Sequence, residues 1–248
     1  MDIYLYLLFL LGGYLLGSIS FARIVTKKVA PSADLASLTI DVGDSEGQEL
    51  VGVMGANAAS MILGTRLGLL VAFLDMAKVS IPMLLIKIFF PDLPFFILFS
   101  IGGLIGHNWP VYYKFVGGRG FAVIFSSFLV VDWLGAIVTV VGGLGFGMII
   151  LGNPMVAYVS WLILMIPWMV WRWGSWELVF AIAMNIIFFI AVIPEIKIFI
   201  RLRKLGKYQD YVKSLYDSSP RWRGMKKMAE SMWLLRPLFK KEEAETQE

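Results

Sequence analysis

Long apolar runs alternate with short polar or glycine-rich breaks along the whole chain, the pattern of helices that cross a bilayer rather than of helices packed in water. The first run extends from Ile3 to about Val25, the second from about Leu67 to Phe90 and the third from Leu93 to Ile105. From Phe121 to Leu151 the run is too long for one comfortable helix, and Asp132-Trp133 with Gly135 supplies a turn near its middle, so two short spans are expected there. Gly152-Asn153-Pro154 leads into a sixth span ending at Trp171-Arg172-Trp173, and a seventh runs from Glu177 to about Ile200.

Composition agrees, because 58% of the 248 residues are hydrophobic and only 16% are charged, too apolar for a soluble domain of this size. The fold class expected is all-α: a polytopic integral membrane helix bundle of about seven short transmembrane helices in the cell membrane. The first span is too long for a signal-peptide core and has no basic residue before it, so it is expected to remain as an anchor. Arg23, Lys27 and Lys28 follow that span, and Arg201, Arg203, Lys204 and Lys207 follow the last, which predicts an outside N-terminus and a cytoplasmic C-terminus. Two units follow: a transmembrane domain over 1–205, and a basic tail over 206–248 that suits either an interfacial helix or an ordinary tail helix, with a disordered acidic end. Ala30 to Glu49 is polar and reads as a mobile cytoplasmic loop. Glycines spaced four apart, Gly13 and Gly17, Gly102 and Gly106, Gly143 and Gly147, predict close helix packing. With no cysteine, thiol catalysis, thiolate metal ligation and disulfides are excluded.

One polar island, Gly106 to Ala122, holds the single histidine, His107, with Asn108, Lys114, Arg119 and the turn Gly117-Gly118-Arg119-Gly120 before an apolar helix. Glycines let successive N–H groups converge and the helix start adds positive potential, so phosphate or carboxylate is the ligand such a turn could bind. The alternative is a plain cytoplasmic loop that collects cations. His107 is the candidate catalytic side chain, as base or oxyanion donor. A histidine that only fixes the loop stays open beside it, favoured by the lack of a nearby carboxylate in sequence. Asp75 and Lys78, three apart on one helix face, either line a polar cavity end or form a structural ion pair. Arg66 and Arg23 are further cations near the expected boundary.

The island closely resembles the Gly-His-x-Phe-Pro-Val-Phe-x-x-Phe-Lys-Gly-Gly-Lys-Gly-Val-Ala segment of the bacterial acyl-phosphate:glycerol-3-phosphate acyltransferases, the PlsY family. Here Trp109 replaces Phe, Val116 replaces the first Lys and Arg119 the second. Tyr14 to Phe21 resembles the family's Leu-Gly-Ser-Ile-Pro-Phe, and Asp75-Met76-Ala77-Lys78 its Asp-x-x-Lys. The resemblance implies acyl transfer from acyl phosphate to glycerol 3-phosphate, giving lysophosphatidate for phospholipid synthesis, with no metal or nucleotide cofactor and no nucleic acid partner. Lys114 and Arg119 are then expected to bind phosphate with Gly117, Gly118 and Gly120 as backbone donors, and Ser18, Asn57, Arg66, Asp75 and Lys78 are further candidate substrate-binding residues; membrane lipids are the remaining expected partner.

The chain departs from the family in the first motif, Gly-Ser-Gly-Asn-x-Gly-Ala-Thr-Asn-x-x-Arg-x-x-Gly. Its Ser, first Asn, second Asn and Arg fall on Val51, Val53, Ala58 and Met61, and Thr becomes Asn57. Asn57, Ser60, Thr65 or Arg66 are the polar residues available to compensate. The C-terminal His-x-x-Asn-Ile-x-Arg-Leu pattern keeps Ile200-Arg201-Leu202, while its His and Asn fall on Glu195 and Ile198. Two rival readings follow: a descendant that binds lipid or a membrane partner without turnover, and a small anion transporter.

Overall fold

A computed structural model describes residues 3–41, 48–50, 55–151 and 153–231. Helices dominate: α1 (Ile3–Gly17), α2 (Phe21–Val29), α3 (Ala56–Leu63), α4 (Thr65–Phe89), α5 (Phe95–Asn108), α6 (Phe121–Gly145), α7 (Pro154–Arg172), α8 (Ser175–Ala191), α9 (Ile193–Lys204), α10 (Tyr208–Ser218) and α11 (Pro220–Ser231). The polar stretch expected as a mobile loop carries a small antiparallel ribbon instead, β1 (Thr39–Asp41) against β2 (Gln48–Leu50). Just before it, Leu35 is buried against Ala22, Ala58, Ala59 and Val71, which ties this stretch to α2, α3 and α4.

Apolar side chains point in both directions from the bundle. Phe99 and Leu104 of α5, Phe128 of α6, Trp161 and Met165 of α7 and Phe180 and Met184 of α8 form the buried core. Leu7, Leu8 and Leu11 of α1 and Phe73, Leu84 and Ile88 of α4 are exposed. An apolar surface on this scale suits acyl chains, not water.

α1 is apolar on all sides, so its packing face is chosen by glycine rather than by hydrophobicity. A Cβ on Gly13 would lie 1.9 Å from the Phe99 carbonyl oxygen and one on Gly17 2.1 Å from that of Gly103. From the facing helix, Cβ atoms on Gly102 and Gly106 would meet the carbonyls of Leu10 and Tyr14 at 2.0 and 2.1 Å. The two backbones therefore touch, as the four-residue spacing predicts. At 14 residues α5 is about 21 Å long by its rise per residue and shorter than a bilayer's apolar core. Its burial among α1, α4, α6 and α8 removes the need to match that thickness.

The run expected as two spans breaks where the turn was read, with Asp132 at φ −149° and ψ 93° inside α6. Contacts with α7 give the direction of each half. Phe121 stacks on Tyr158 at 3.8 Å, whereas Asp132 reaches Trp168 and Trp173 at the far end of α7. The chain then returns, Gly135 lying against Trp168, Gly143 against Trp161 and Gly147 against Ala157. The Asp132 carboxylate caps the returning half through Gly135 N–H at 3.0 Å and accepts the indoles of Trp168 and Trp173 at 2.8 and 2.7 Å. Lys87 donates to the carbonyls of Val130 and Val131 at 2.7 and 3.2 Å, which the break deprives of helical partners. The carbonyls of Val130 and Val131 and the N–H of Gly135 thus find side-chain partners at the turn, as a helix broken in an apolar medium requires.

By length and apolarity alone, four helices of the described residues can cross a membrane, five if α8 and α9, bent by 48° at Val192, count as one. Pro194, in the first turn of α9, explains the bend. The chain is a multi-pass integral membrane protein.

Because Gly17 and Gly103 meet backbone to backbone, Gly17→Ala must separate α1 from α5. We expect a loss of about 1–3 kcal/mol, the usual cost of overpacking, read as a lowered unfolding midpoint in detergent.

Candidate active site

The site begins at the end of α5. Trp109-Pro110 stops the helix, since proline lacks the N–H needed to continue it and disfavours α geometry in the residue before it. The chain then makes a 3-10 turn over Val111–Tyr113 and passes through two left-handed residues, Lys114 at φ 53° and Phe115 at φ 59°. It returns to lie on His107. Gly118 N–H donates to the His107 carbonyl at 3.1 Å, and a Cβ on Gly118 would sit 2.2 Å from His107 Nε2. Gly117 is held as closely, 2.2 Å from the same carbonyl by its would-be Cβ, while Gly120 has φ 73°. The Gly-Gly pair thus serves first to seat the loop on the imidazole. The Gly118 donor is spent on His107 rather than aimed at a ligand.

Behind the loop, three segments meet at one ammonium. Lys78 Nζ donates to Asp75 Oδ1 at 2.8 Å and to the Ile19 carbonyl at 2.6 Å, and lies 3.1 Å from His107 Nδ1. An ammonium has three protons and no lone pair, so Nδ1 is the acceptor and the ring proton of neutral His107 sits on Nε2. Both charged residues are buried, Asp75 at 2% and Lys78 at 8% exposure, which is tolerable only because they are paired and hydrogen-bonded.

In front of this cluster opens a cavity of about 500 Å³. Asp75, His107 and Arg119 are among its polar lining residues, and Phe121, Phe125 and Phe188 among its apolar ones. A mostly apolar pocket of several hundred Å³ with a few convergent polar groups is the usual form of a small-molecule site. Arg119 donates through Nε to Glu195 Oε1 at 2.5 Å and forms an ion pair with it. The second oxygen, Glu195 Oε2, is buried without a hydrogen-bond partner. No three His, Cys, Asp or Glu side chains among the described residues gather as a metal site would require.

The residues singled out in the sequence divide into groups. His107, Arg119, Gly120, Asn57 and Asp75 line the cavity, as do Ser60 and Thr65. Lys78 stands one layer behind, against His107 and Asp75. Ser18 lies apart, donating to the Tyr14 carbonyl at 2.7 Å and accepting from Val111 N–H at 3.4 Å, so it holds the loop. Arg23 does likewise, donating to the Val116 carbonyl at 3.0 Å with its guanidinium 4.9 Å from the Tyr113 ring. Lys114 and Arg66 are exposed and do not line the cavity. Val51 and Val53 of the first motif fall outside the described residues, as do Met232, Trp233 and the acidic end of the chain.

Tyr158 and Arg221 complete the lining, neither of them marked as a site residue by its sequence surroundings. Glu195 was visible as the residue standing where the PlsY family has histidine, but its pairing with Arg119 was not.

A sequence profile described as Glycerol-3-phosphate acyltransferase matches residues 7–205. The chain belongs to this family. A relative so named from Shouchella clausii is 39% identical over 112 residues, 44% of this chain and 49% of that protein. One from Anaeromyxobacter sp. is 31% identical over 151 residues, 59% of this chain and 68% of its own. The chain spans about half the length of the first curated relatives it matches. In three dimensions it is similar to the crystal structure of PlsY, an integral membrane glycerol 3-phosphate acyltransferase, in its glycerol 3-phosphate form. The TM-score is 0.65 at 25% identity, covering 82% of this chain and 93% of that one. The lysophosphatidic acid form of that enzyme shares the fold at a TM-score of 0.62. Family members thus supply the Asp75-Lys78-His107 cluster with a context: a membrane acyltransferase scaffold.

The cluster is testable by its own energetics. Lys78→Met leaves the Asp75 carboxylate buried and unpaired, so it should cost about 3–5 kcal/mol, whereas the double variant Asp75→Leu/Lys78→Met should recover most of that loss. Unfolding midpoints of the two variants in the same detergent check the difference.

Proposed function

We propose that this protein transfers an acyl group from an acyl phosphate to a hydroxyl of glycerol 3-phosphate, forming lysophosphatidate and inorganic phosphate. The observation that carries the reading is a cavity whose lining combines aromatic and aliphatic side chains with Arg119, Glu195 and His107. An acyl chain needs the first and a phosphorylated alcohol the second. The solved relative's glycerol 3-phosphate form gives the same reading from outside the chain.

The chemistry asks little of the protein beyond placement. An acyl phosphate is a mixed anhydride with a good leaving group, so holding two reactants in line supplies most of the rate. The acceptor oxygen attacks the carbonyl carbon, the carbon–oxygen bond to phosphate breaks, and the departing phosphate takes up the hydroxyl proton. Arg119 binds a phosphoryl group, because its planar fork matches two oxygens at once. Glu195 Oε2, with no partner of its own, accepts a hydrogen bond from the acceptor hydroxyl and orients it. His107 positions the glycine loop; its Nδ1 is committed to Lys78, which leaves only the Nε2 proton to offer. Lys114, exposed on the loop, attracts anions from outside the cavity.

We also propose seven short membrane segments, α6 contributing two, with the N-terminus outside and the C-terminus in the cytoplasm. The chain has no cysteine, so single cysteines introduced at Asp2 and Lys241 report sidedness directly. Impermeant maleimide added to intact cells should label the first and not the second; the reverse, or equal labelling, rejects the orientation.

One observation favours a second reading. Arg119 already has a carboxylate partner, which a phosphate would have to displace or share, as in a descendant that keeps the fold without turnover. Purified protein in lipid, supplied with acyl phosphate, separates the two. Phosphate release should require glycerol 3-phosphate, fall on the order of thirty-fold or more in Arg119→Ala, and change only a few-fold in Lys114→Ala. Folded protein that releases no phosphate in response to glycerol 3-phosphate sinks the acyltransferase reading.

A further inference from the structure

The family match ends at residue 205, yet the cavity wall does not. Tyr211 and Leu215 of α10 and Pro220, Arg221 and Trp222 of α11 all line it. Three fastenings hold this segment in place. Tyr211 and Leu215 pack with Leu202 in a cluster that includes Met61 and Trp222. Ser219 Oγ donates to Asn57 Oδ1 at 2.8 Å. Arg221 donates to the Tyr158 hydroxyl, with its guanidinium carbon 5.0 Å from the centre of that ring, and Tyr158 lies 5.4 Å from Trp222.

Charge bookkeeping at the cavity then singles out one residue. Asp75 is neutralised by Lys78, and Arg119 and Glu195 neutralise each other. The partner of Arg221 is a phenol, which is neutral at physiological pH. Among the described residues no carboxylate is paired with it, so the positive charge left over in the lining is its own. The Tyr158 hydroxyl accepts from one nitrogen of the guanidinium, Arg221 Nη1, and a guanidinium's planar fork is the geometry that matches phosphoryl oxygens.

We propose that Arg221 is a phosphate-binding residue of this cavity, carried in by a helical segment that lies outside the family-matching region. The ligand is a substrate phosphoryl group, on either the acyl phosphate or the phosphorylated alcohol. The inference rests on the acyltransferase reading for its substrates but not for its anion.

Arg221→Gln in the full chain, in lipid, is the deciding variant, because glutamine keeps a donor for Tyr158 and removes the charge. Two readouts are taken: the affinity for inorganic phosphate by equilibrium binding, and KM and kcat for acyl phosphate and glycerol 3-phosphate varied separately. Phosphate affinity should fall by roughly thirty-fold or more, with KM rising for one substrate more than kcat falls, and that substrate identifies which phosphoryl group Arg221 holds. Arg221→Lys should restore part of the affinity. Lys227→Ala, which removes the same charge from an exposed position on the same helix, should leave affinity and kinetics unchanged. Unaltered phosphate affinity in folded Arg221→Gln overturns the proposal, as does an equal loss in Lys227→Ala. If the wild type shows no acyl transfer, the phosphate arm alone decides: binding that depends on Arg221 upholds the inference while the acyltransferase reading falls, and absence of binding ends both.

Discussion

The Lys78 ammonium is the point on which the site depends. Its three protons go to three separate pieces of chain: Asp75 on its own helix, the Ile19 carbonyl in the break between α1 and α2, and His107 at the end of α5. In water such an arrangement would contribute little. In an apolar bundle each partner left unsatisfied costs several kcal/mol, so the three segments are held to one geometry by the penalty for leaving it. His107, fixed by that contact, is in turn the surface on which Gly117 and Gly118 fold back, and the loop so seated carries Arg119 to the cavity. The chain of dependence runs from a buried charge to the placement of the Arg119 guanidinium at the cavity.

The same accounting explains how charged side chains persist among apolar helices. Asp132 collects a backbone N–H, two indoles and the Arg172 guanidinium, and in return caps the half-helix that follows it. Lys87 answers from α4 by closing the carbonyls left open on the preceding side. One helix reversal therefore rests on residues from α4, α6 and α7, whose charged side chains share one polar cluster.

Local features were legible in the sequence, and distant pairings were not. The four-residue glycine spacing announced close helix contact, Asp75 and Lys78 announced a shared face, and Asp132 with Gly135 announced a break. Each depends on residues within one turn or one run. Lys114 and Arg119, by contrast, look alike as loop cations; only the fold, which turns the loop through two left-handed residues after Tyr113, leaves one exposed and brings the other to the cavity. Arg119 meets Glu195 across 76 positions and Arg221 meets Tyr158 across 63, separations at which no local pattern informs the reader. The polar stretch after α2 misled for a related reason: Leu35 is buried by α2, α3 and α4 and β1 lies against α10, contacts that the composition of the stretch does not report.

The position of α11 in the chain has a consequence for biogenesis. A nascent chain emerges N-terminus first, so α1 to α9 are made before Tyr158 and Asn57 meet their partners on Arg221 and Ser219. Until then the cavity stands without one wall, its aromatic lining open to whatever surrounds the ribosome-bound chain. The protein thus spends part of its synthesis as a bundle with an unfinished chamber, and α11, made after α1 to α9, supplies the missing wall.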